Sequence, residues 1–175
     1  MRQTRAAVDD RRRHRAAVAR PAPGKRGFVV PPEVLLGYRL WQAYHLWQRQ
    51  VGRYLKAVAL TPVQYILLAA IYYLATQGEI PSQIRLSNFT GVEKMMVSKN
   101  LRLLVRRGYL SRKPGLRDKR VNQIRLTRAG TRVLQRAFIT SAEAHATFFH
   151  VLGEDWRRIN SLLRILIHSH IEQPR

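Results

Sequence analysis

Between Thr61 and Leu126 the signals that start and stop secondary structure are so closely spaced that only short elements fit. Leu60-Thr61-Pro62-Val63-Gln64 opens a helix: Thr61 caps it, Pro62 takes the first helical position, and Gln64 reaches back to close a capping box. From Tyr65 to Ala75 the chain is apolar without interruption, the pattern of a helix buried on all sides, and Gln77-Gly78 stops it. Ser82 caps a short second helix that ends near Phe89. Thr90-Gly91 makes a tight turn, and a third helix runs from about Glu93 to Arg107. Gly108 sits just past its end, where a left-handed residue is wanted. Tyr109–Arg112 and Val121–Leu126 predict two strands, joined by the turn-rich connection Lys113–Arg120 with Pro114-Gly115 at its tip. Helix, glycine-containing turn, helix and hairpin is an order that few folds accommodate.

The flanks are helical. After Pro31-Pro32, the residues Val34, Trp41, Tyr44, Val51, Leu55 and Val58 recur at helical spacing between Glu33 and Ala59, and Trp47 and Tyr54 widen the stripe. So much aromatic surface needs a large partner. On the other side, Thr127 caps a helix expected to reach about Leu152, with a weak spot at Thr140-Ser141. A last helix opens at Glu154-Asp155, acids suited to a helix N-terminus, and is expected to bury Trp156, Ile159, Leu163, Leu166 and Ile167. The fold class is therefore mostly α with a small β-hairpin: a helix-turn-helix lobe (60–127) framed by helical segments (31–59 and 128–175) and preceded by a basic, flexible arm (1–30).

Charge indicates the partner. The chain has 32 Lys and Arg against 10 Asp and Glu, a net +22. Residues 94–132 hold 13 basic groups and 1 acid, and residues 1–30 hold 9 basic groups and 2 acids. Such self-repulsion adds nothing to fold stability, and a merely solvated face is usually mixed in sign, so a polyanion is implied. In the arm, Arg11-Arg12-Arg13-His14-Arg15 suits either a helix laid on a phosphate backbone or a solvated tail, and the sequence leaves both open.

On the third helix, Val97, Leu101 and Leu104 face inward at helical spacing, which puts Lys94, Met95, Ser98, Lys99, Arg102 and Arg106 on the opposite face. In a helix-turn-helix the second helix lies in the major groove of double-stranded DNA. There Met95 suits a thymine methyl, Ser98 a base or a phosphate, and Lys99 and Arg102 guanine acceptors or phosphates. The hairpin loop carries Lys113, Arg117, Lys119 and Arg120 around the single acid Asp118. A basic loop between short strands suits the negative potential of a minor groove. Asp118 is too isolated for paired-carboxylate catalysis, and its expected role is to hold Arg120 or a neighbouring arginine.

Residues from about 34 to 168 resemble the MarR family of winged helix-turn-helix transcriptional regulators. The resemblance rests on Leu60-Thr61-Pro62-Val63-Gln64-Tyr65, Met95-Met96-Val97-Ser98, Leu104 with Arg107-Gly108-Tyr109-Leu110, Asp118-Lys119-Arg120, and Ile124-Arg125-Leu126-Thr127-Arg128-Ala129-Gly130 in this order and spacing. It implies a homodimer built from the first helix and the last two, with 31–59 and 128–175 as dimerisation region and 60–127 as DNA-binding lobe. It implies Ser98 and Arg102 as recognition contacts, Arg120 as a wing contact and Asp118 as the wing acid. It also implies a pocket between the two regions for a small aromatic or acyl-CoA effector. Three features depart from the family pattern: Arg85 stands where an acid would close the capping box of Ser82, Val105 replaces an acid before Arg106-Arg107, and the arm is additional.

Other chemistry is not expected. Cysteine is absent, which removes disulfides, thiolate metal sites and a cysteine nucleophile. No phosphate loop, nucleophile elbow or metalloprotease motif is present, so neither an enzyme, a cofactor nor a metal site is expected. His145 and His150, five apart, fall on different helical faces. His45, among Trp41, Tyr44 and Trp47, is expected as a core histidine first and as a wall of an aromatic-ligand pocket (Trp41, Tyr44, His45) second. No apolar run is long enough for a membrane span, and no secretory signal is evident, so a cytoplasmic, nucleoid-associated protein is expected. The rival readings are an architectural DNA-binding protein of low sequence specificity and, more weakly, an RNA-binding module lacking the usual stacked-aromatic platform.

Overall fold

The computed structural model describes residues 32–114 and 122–171. The expectation of a flexible arm over residues 1–30 lies outside them. The chain divides into two units, Met1–His45 and Leu46–Arg175. In order, the elements are α1 (Pro32–Leu55), a 3-10 turn (Lys56–Val58), α2 (Pro62–Thr76), α3 (Gln83–Thr90), α4 (Lys94–Arg106), β1 (Leu110–Pro114), β2 (Asn122–Leu126), α5 (Arg128–Phe149), a 3-10 turn (His150–Leu152) and α6 (Asp155–Ile171).

In the first unit the opening turns of α1 expose Trp41, Tyr44 and His45 to solvent. His45 is therefore not a core histidine. Its ring packs edge-on to Trp41 at 4.4 Å and to Tyr44 at 5.4 Å, and Trp41 stacks on Tyr38 at 6.2 Å.

The second unit holds the core. Val51 and Leu55 at the end of α1 and Val58 of the 3-10 turn pack with Leu67, Leu68, Ile71 and Leu74 of α2, Leu86 of α3, Val97, Leu101 and Leu104 of α4, and Leu134 and Ala137 of α5. The capping box of α2 forms as the sequence predicts: Gln64 N–H donates to Thr61 Oγ1 at 3.2 Å and Thr61 N–H to Gln64 Oε1 at 3.1 Å. Ser82 and Thr127 cap α3 and α5 in the same way, accepting from the backbone N–H of Arg85 and Gly130. The strands form an antiparallel hairpin in the register Leu110↔Leu126 to Pro114↔Asn122. Strand β1 thus runs through Lys113 and Pro114, which the sequence had placed in the loop. Thr127 ties the start of α5 to the end of α4 through Thr127 Oγ1–H to Gly108 O at 2.6 Å, and Gly130 approaches the Tyr109 carbonyl so closely that a Cβ there would collide with it.

Helix α5 passes Thr140-Ser141 without a break. Each hydroxyl bonds back into its own helix, and Tyr65 of α2 meets Ser141 Oγ at 2.8 Å. The larger correction concerns α6. Trp156, Ile159, Leu163, Leu166 and Ile167, expected to be buried, are all exposed. The periodicity marked a face that needs covering, and no other described residue covers it.

Candidate nucleic-acid interface

The helix-turn-helix pair is α3 and α4. Gly91 ends α3 at φ 69°, which sends the chain back toward the core. The turn is braced by Ser87 Oγ–H to Val92 O and Thr90 Oγ1–H to Leu86 O, each 2.7 Å, and by Val92 N–H to Thr90 Oγ1 at 3.3 Å. Gln83 crosses from the first helix to the second, with Nε2 at 3.5 Å from Lys94 O. The underside of α4 is anchored by Val97, Leu101 and Leu104. Asn100, also buried and not singled out by the apolar pattern, satisfies its amide on Met96 O at 2.8 Å. That pairing answers the desolvation of a buried amide.

The outer face of α4 carries the predicted set together. Lys94, Met95, Lys99, Arg102 and Arg106 are exposed, Met95 at 76 %, and Ser98 is half-buried among them. Glu93 precedes the helix and makes no side-chain cap, so no carboxylate closes over its first N–H groups. A helix N-terminus left open in this way attracts anions. Arg112 and Arg125 are exposed on the hairpin; strand alternation, with Ile124 buried beside it, was the available signal for Arg125.

Lys113 lies in β1 opposite Gln123. The wing residues Arg117, Asp118, Lys119 and Arg120 lie outside the described residues. Arg85 does not stand free: it donates to both carboxylate oxygens of Glu79, at 2.8 and 3.2 Å, with its guanidinium 5.4 Å from the centre of the Phe89 ring, which stacks on Tyr73. The cation missing a capping-box role is thus neutralised by the acid six residues before it.

A cavity of about 570 Å³ opens between α5 and α6, lined by His145, Phe149, His150, Trp156, Asn160 and Leu163 among others. His145 and His150 both line this space, contrary to the helical-wheel expectation; the α-helix ends at Phe149 and the backbone is 3-10 from His150. The His145 ring packs edge-on to Trp47 at 4.5 Å and to Phe149 at 5.0 Å. Burial lowers its pKa below the ordinary histidine value. Trp41, Tyr44 and His45 are not among the lining residues. No group of three or more metal-ligating side chains occurs among the described residues, and no single helix there is long and apolar enough to cross a membrane.

No family model matches the chain. It is 32% identical over 138 residues to the uncharacterized HTH-type transcriptional regulator YdcH of Bacillus subtilis (strain 168), which covers 79% of this chain and 94% of that protein. Among solved structures, a mutant MarR from E. coli complexed with operator DNA superposes with a TM-score of 0.69 at 19% identity, over 80% of this chain and 99% of that one. CouR from Rhodococcus jostii RHA1 bound to p-coumaroyl-CoA gives a TM-score of 0.66 at 19% identity, over 80% of this chain and 94% of that one.

Proposed function

Since this chain belongs to the MarR family of winged helix-turn-helix transcriptional regulators, we propose that it acts as a homodimeric, ligand-responsive repressor on a palindromic operator. The observation that carries the reading is the two-sided character of α4: apolar anchors below, and Lys94, Met95, Ser98, Lys99, Arg102 and Arg106 above. In this reading the N-terminal half of α4 meets base edges in the major groove. Lys113, Arg117, Lys119 and Arg120 supply the wing, and Asp118 orients an arginine of it. The operator-bound MarR structure supports the docking by its fold.

The uncovered surface of α6 supports the dimer. Seven large apolar side chains of α6 stand exposed. A fully buried side chain of this kind is worth about 1.5–3 kcal/mol. At half that value, fourteen across a two-fold interface supply roughly 11–21 kcal/mol, against an association cost of about 4–15 kcal/mol. A second copy is the partner that offers the same apolar face, with 31–59 and 128–175 as the dimerisation region.

An effector acts only if it binds the DNA-competent and DNA-incompetent forms unequally. The CouR complex supports an acyl-CoA ester as one class. The ring cluster Trp41, Tyr44 and His45 offers an aromatic wall for an aromatic acid.

Selection of the full chain against random duplex DNA at about 150 mM salt, where non-specific binding is weakened, tests the reading. Recovery of a palindrome with half-sites about 10 bp apart is expected. Recovery of a compositional bias alone would replace it with an architectural role, which the net charge of +22 favours. The Arg102→Ala variant should lose about 1–3 kcal/mol of discrimination at one base position; an unchanged base preference would remove Arg102 from the readout. For the effector, loss of operator affinity on adding an acyl-CoA ester or aromatic acid at about 1 mM, the weak end of specific binding, is the expected result.

A further inference from the structure

The turn that joins α1 to α2 holds a conformation its residue disfavours. Ala59 lies at φ 54°, ψ 39°, and it is the one non-glycine residue with positive φ among the described residues. In that region the Cβ crowds the following carbonyl, so the conformation persists only where the surroundings enforce it. Val58 and Leu60, on either side, are buried. Ala59 N–H donates to Lys56 O at 3.0 Å and Leu60 N–H to Leu55 O at 3.1 Å.

The Ala59 carbonyl is taken up by a residue 48 positions later. Arg107 Nη1 donates to it at 2.7 Å. The same nitrogen lies 3.5 Å from Gln64 Oε1, the oxygen that closes the capping box of α2. The guanidinium sits 4.8 Å from the centre of the Tyr109 ring, with Nη2 at 3.4 Å from Tyr109 Oη. Arg107 is the C-cap residue of α4. One side chain therefore joins the end of the helix that carries the cationic face to the turn that links α1 to the helix-turn-helix. Its neighbour Arg106, exposed like Arg107, makes no such contact among the described residues.

We propose that Arg107 is a positioning residue that latches the C-terminal end of α4 to the α1–α2 turn and so fixes the direction of the recognition helix. The proposal rests on the DNA-binding reading above. A planar guanidinium, with its donors in a fixed fork, can meet a carbonyl, an amide oxygen and an aromatic face at once; a lysine ammonium reproduces the charge and one donor but not the fork. The N–H bonded to the Ala59 carbonyl at 2.7 Å is committed to the protein. Arg106 and Arg107, adjacent and chemically identical, are thereby assigned opposite tasks: one toward DNA, one toward the fold.

The two tasks differ in measurable ways. A phosphate contact contributes about 0.9 to the slope of log affinity against log salt, and a latch contributes nothing to it. A latch instead sets how strictly two recognition helices demand their spacing. One base pair more or less between half-sites turns one against the other by roughly 34°, which a rigid dimer tolerates poorly.

The experiment measures binding of the full chain to its selected operator across a salt series, and to operators with one base pair inserted or removed between half-sites. Wild type, Arg107→Ala, Arg107→Lys and Arg106→Ala are compared, with a thermal melt of each. Arg107→Ala should weaken operator binding about tenfold, the effect of losing one charged hydrogen bond, at unchanged salt slope. Its penalty for altered spacing should shrink relative to wild type. Arg107→Lys should recover part of that penalty, and Arg106→Ala should lower the slope by about 0.9 per protomer. An Arg107→Ala slope lowered like that of Arg106→Ala would make Arg107 a phosphate contact and overturn the proposal, as would wild-type affinity and spacing preference in Arg107→Ala. If Arg107→Ala does not fold, Arg107→Lys decides: a reduced spacing penalty at wild-type slope supports the latch, and wild-type behaviour throughout overturns it. A wild-type protein indifferent to spacing would overturn the dimer reading, while the slopes of the Arg107 and Arg106 variants still decide the latch.

Discussion

Helices α2 and α6 are close in length, 15 and 17 residues, and both are rich in large aliphatic and aromatic side chains. They end in opposite surroundings. Leu67 and Leu68 of α2 are 0% exposed, whereas Trp156 and Ile165 of α6 are 45% and 67% exposed. The difference is one of partners. Helix α2 finds α3, α4, α5 and the hairpin within its own chain. Helix α6 presents an apolar face and one wall of a cavity that no other described element fills. Apolar periodicity states that a face must be covered and leaves open whether the cover belongs to the same chain.

The comparison breaks most forcefully on the α2 side. Leu67→Ala should destabilise the fold by about 2–5 kcal/mol, read as a lower denaturant midpoint at unchanged m-value. A loss below about 0.5 kcal/mol, the range of surface substitutions, would mean that α2 is not the core helix. Gly130→Ala should follow at about 1–3 kcal/mol, because its new methyl meets the Tyr109 carbonyl. Neither loss should depend on a second copy to appear, since all the partners involved are internal.

These local features are also the ones that sequence made legible. Thr61 and Gln64 stand three residues apart, and their capping box needs nothing distant. Ser82, Thr127, Gly91 and Gly108 signal helix ends by their own stereochemistry. The cationic face of α4 follows from its period once Val97, Leu101 and Leu104 are set inward. What sequence hid lies at long range or between helix types. Arg107 and Ala59 meet across 48 positions, and nothing near Arg107 in the chain announces a carbonyl acceptor. Arg85 was noted as out of place, but its partner Glu79 lies outside the helix whose pattern was read. His145 and His150 line one cavity although they stand five apart, and the 3-10 turn that begins at His150 is not legible in the helical period. The exposure of α6 in the single chain was not legible, because the period of Trp156, Ile159 and Leu163 is the same whether the cover is internal or another chain.

On the α6 side the effects should be smaller in stability and larger in assembly. Leu166→Glu, at an exposed position of the single chain, should leave the far-ultraviolet spectrum unchanged and shift the melt by only a few degrees, within the effect of about 1 kcal/mol. It should separate the assembly into single chains, and its melting temperature should lose any dependence on protein concentration. Retention of a two-chain mass would take α6 out of the interface.

The smallest effect concerns pH. Burial lowers the pKa of His145, so the folded chain favours the neutral ring. Below the ordinary histidine value the unfolded chain takes up the proton first, and stability falls as pH drops from about 6.5 through the lower folded value. Melting temperatures between pH 7.5 and 5 should therefore decline, and His145→Gln should flatten part of that decline. An unaltered pH profile in His145→Gln would show that the ring beside Trp47 and Phe149 is not a source of the dependence.

In the proposed assembly a second copy covers the apolar face of α6 and brings two α4 helices to one operator. Light scattering on the full chain at low micromolar concentration, alone and with the selected duplex, addresses it directly. Twice the single-chain mass is expected in the absence of DNA, and two chains per palindrome in its presence. A folded protein with the mass of one chain, binding DNA one copy at a time, would contradict it.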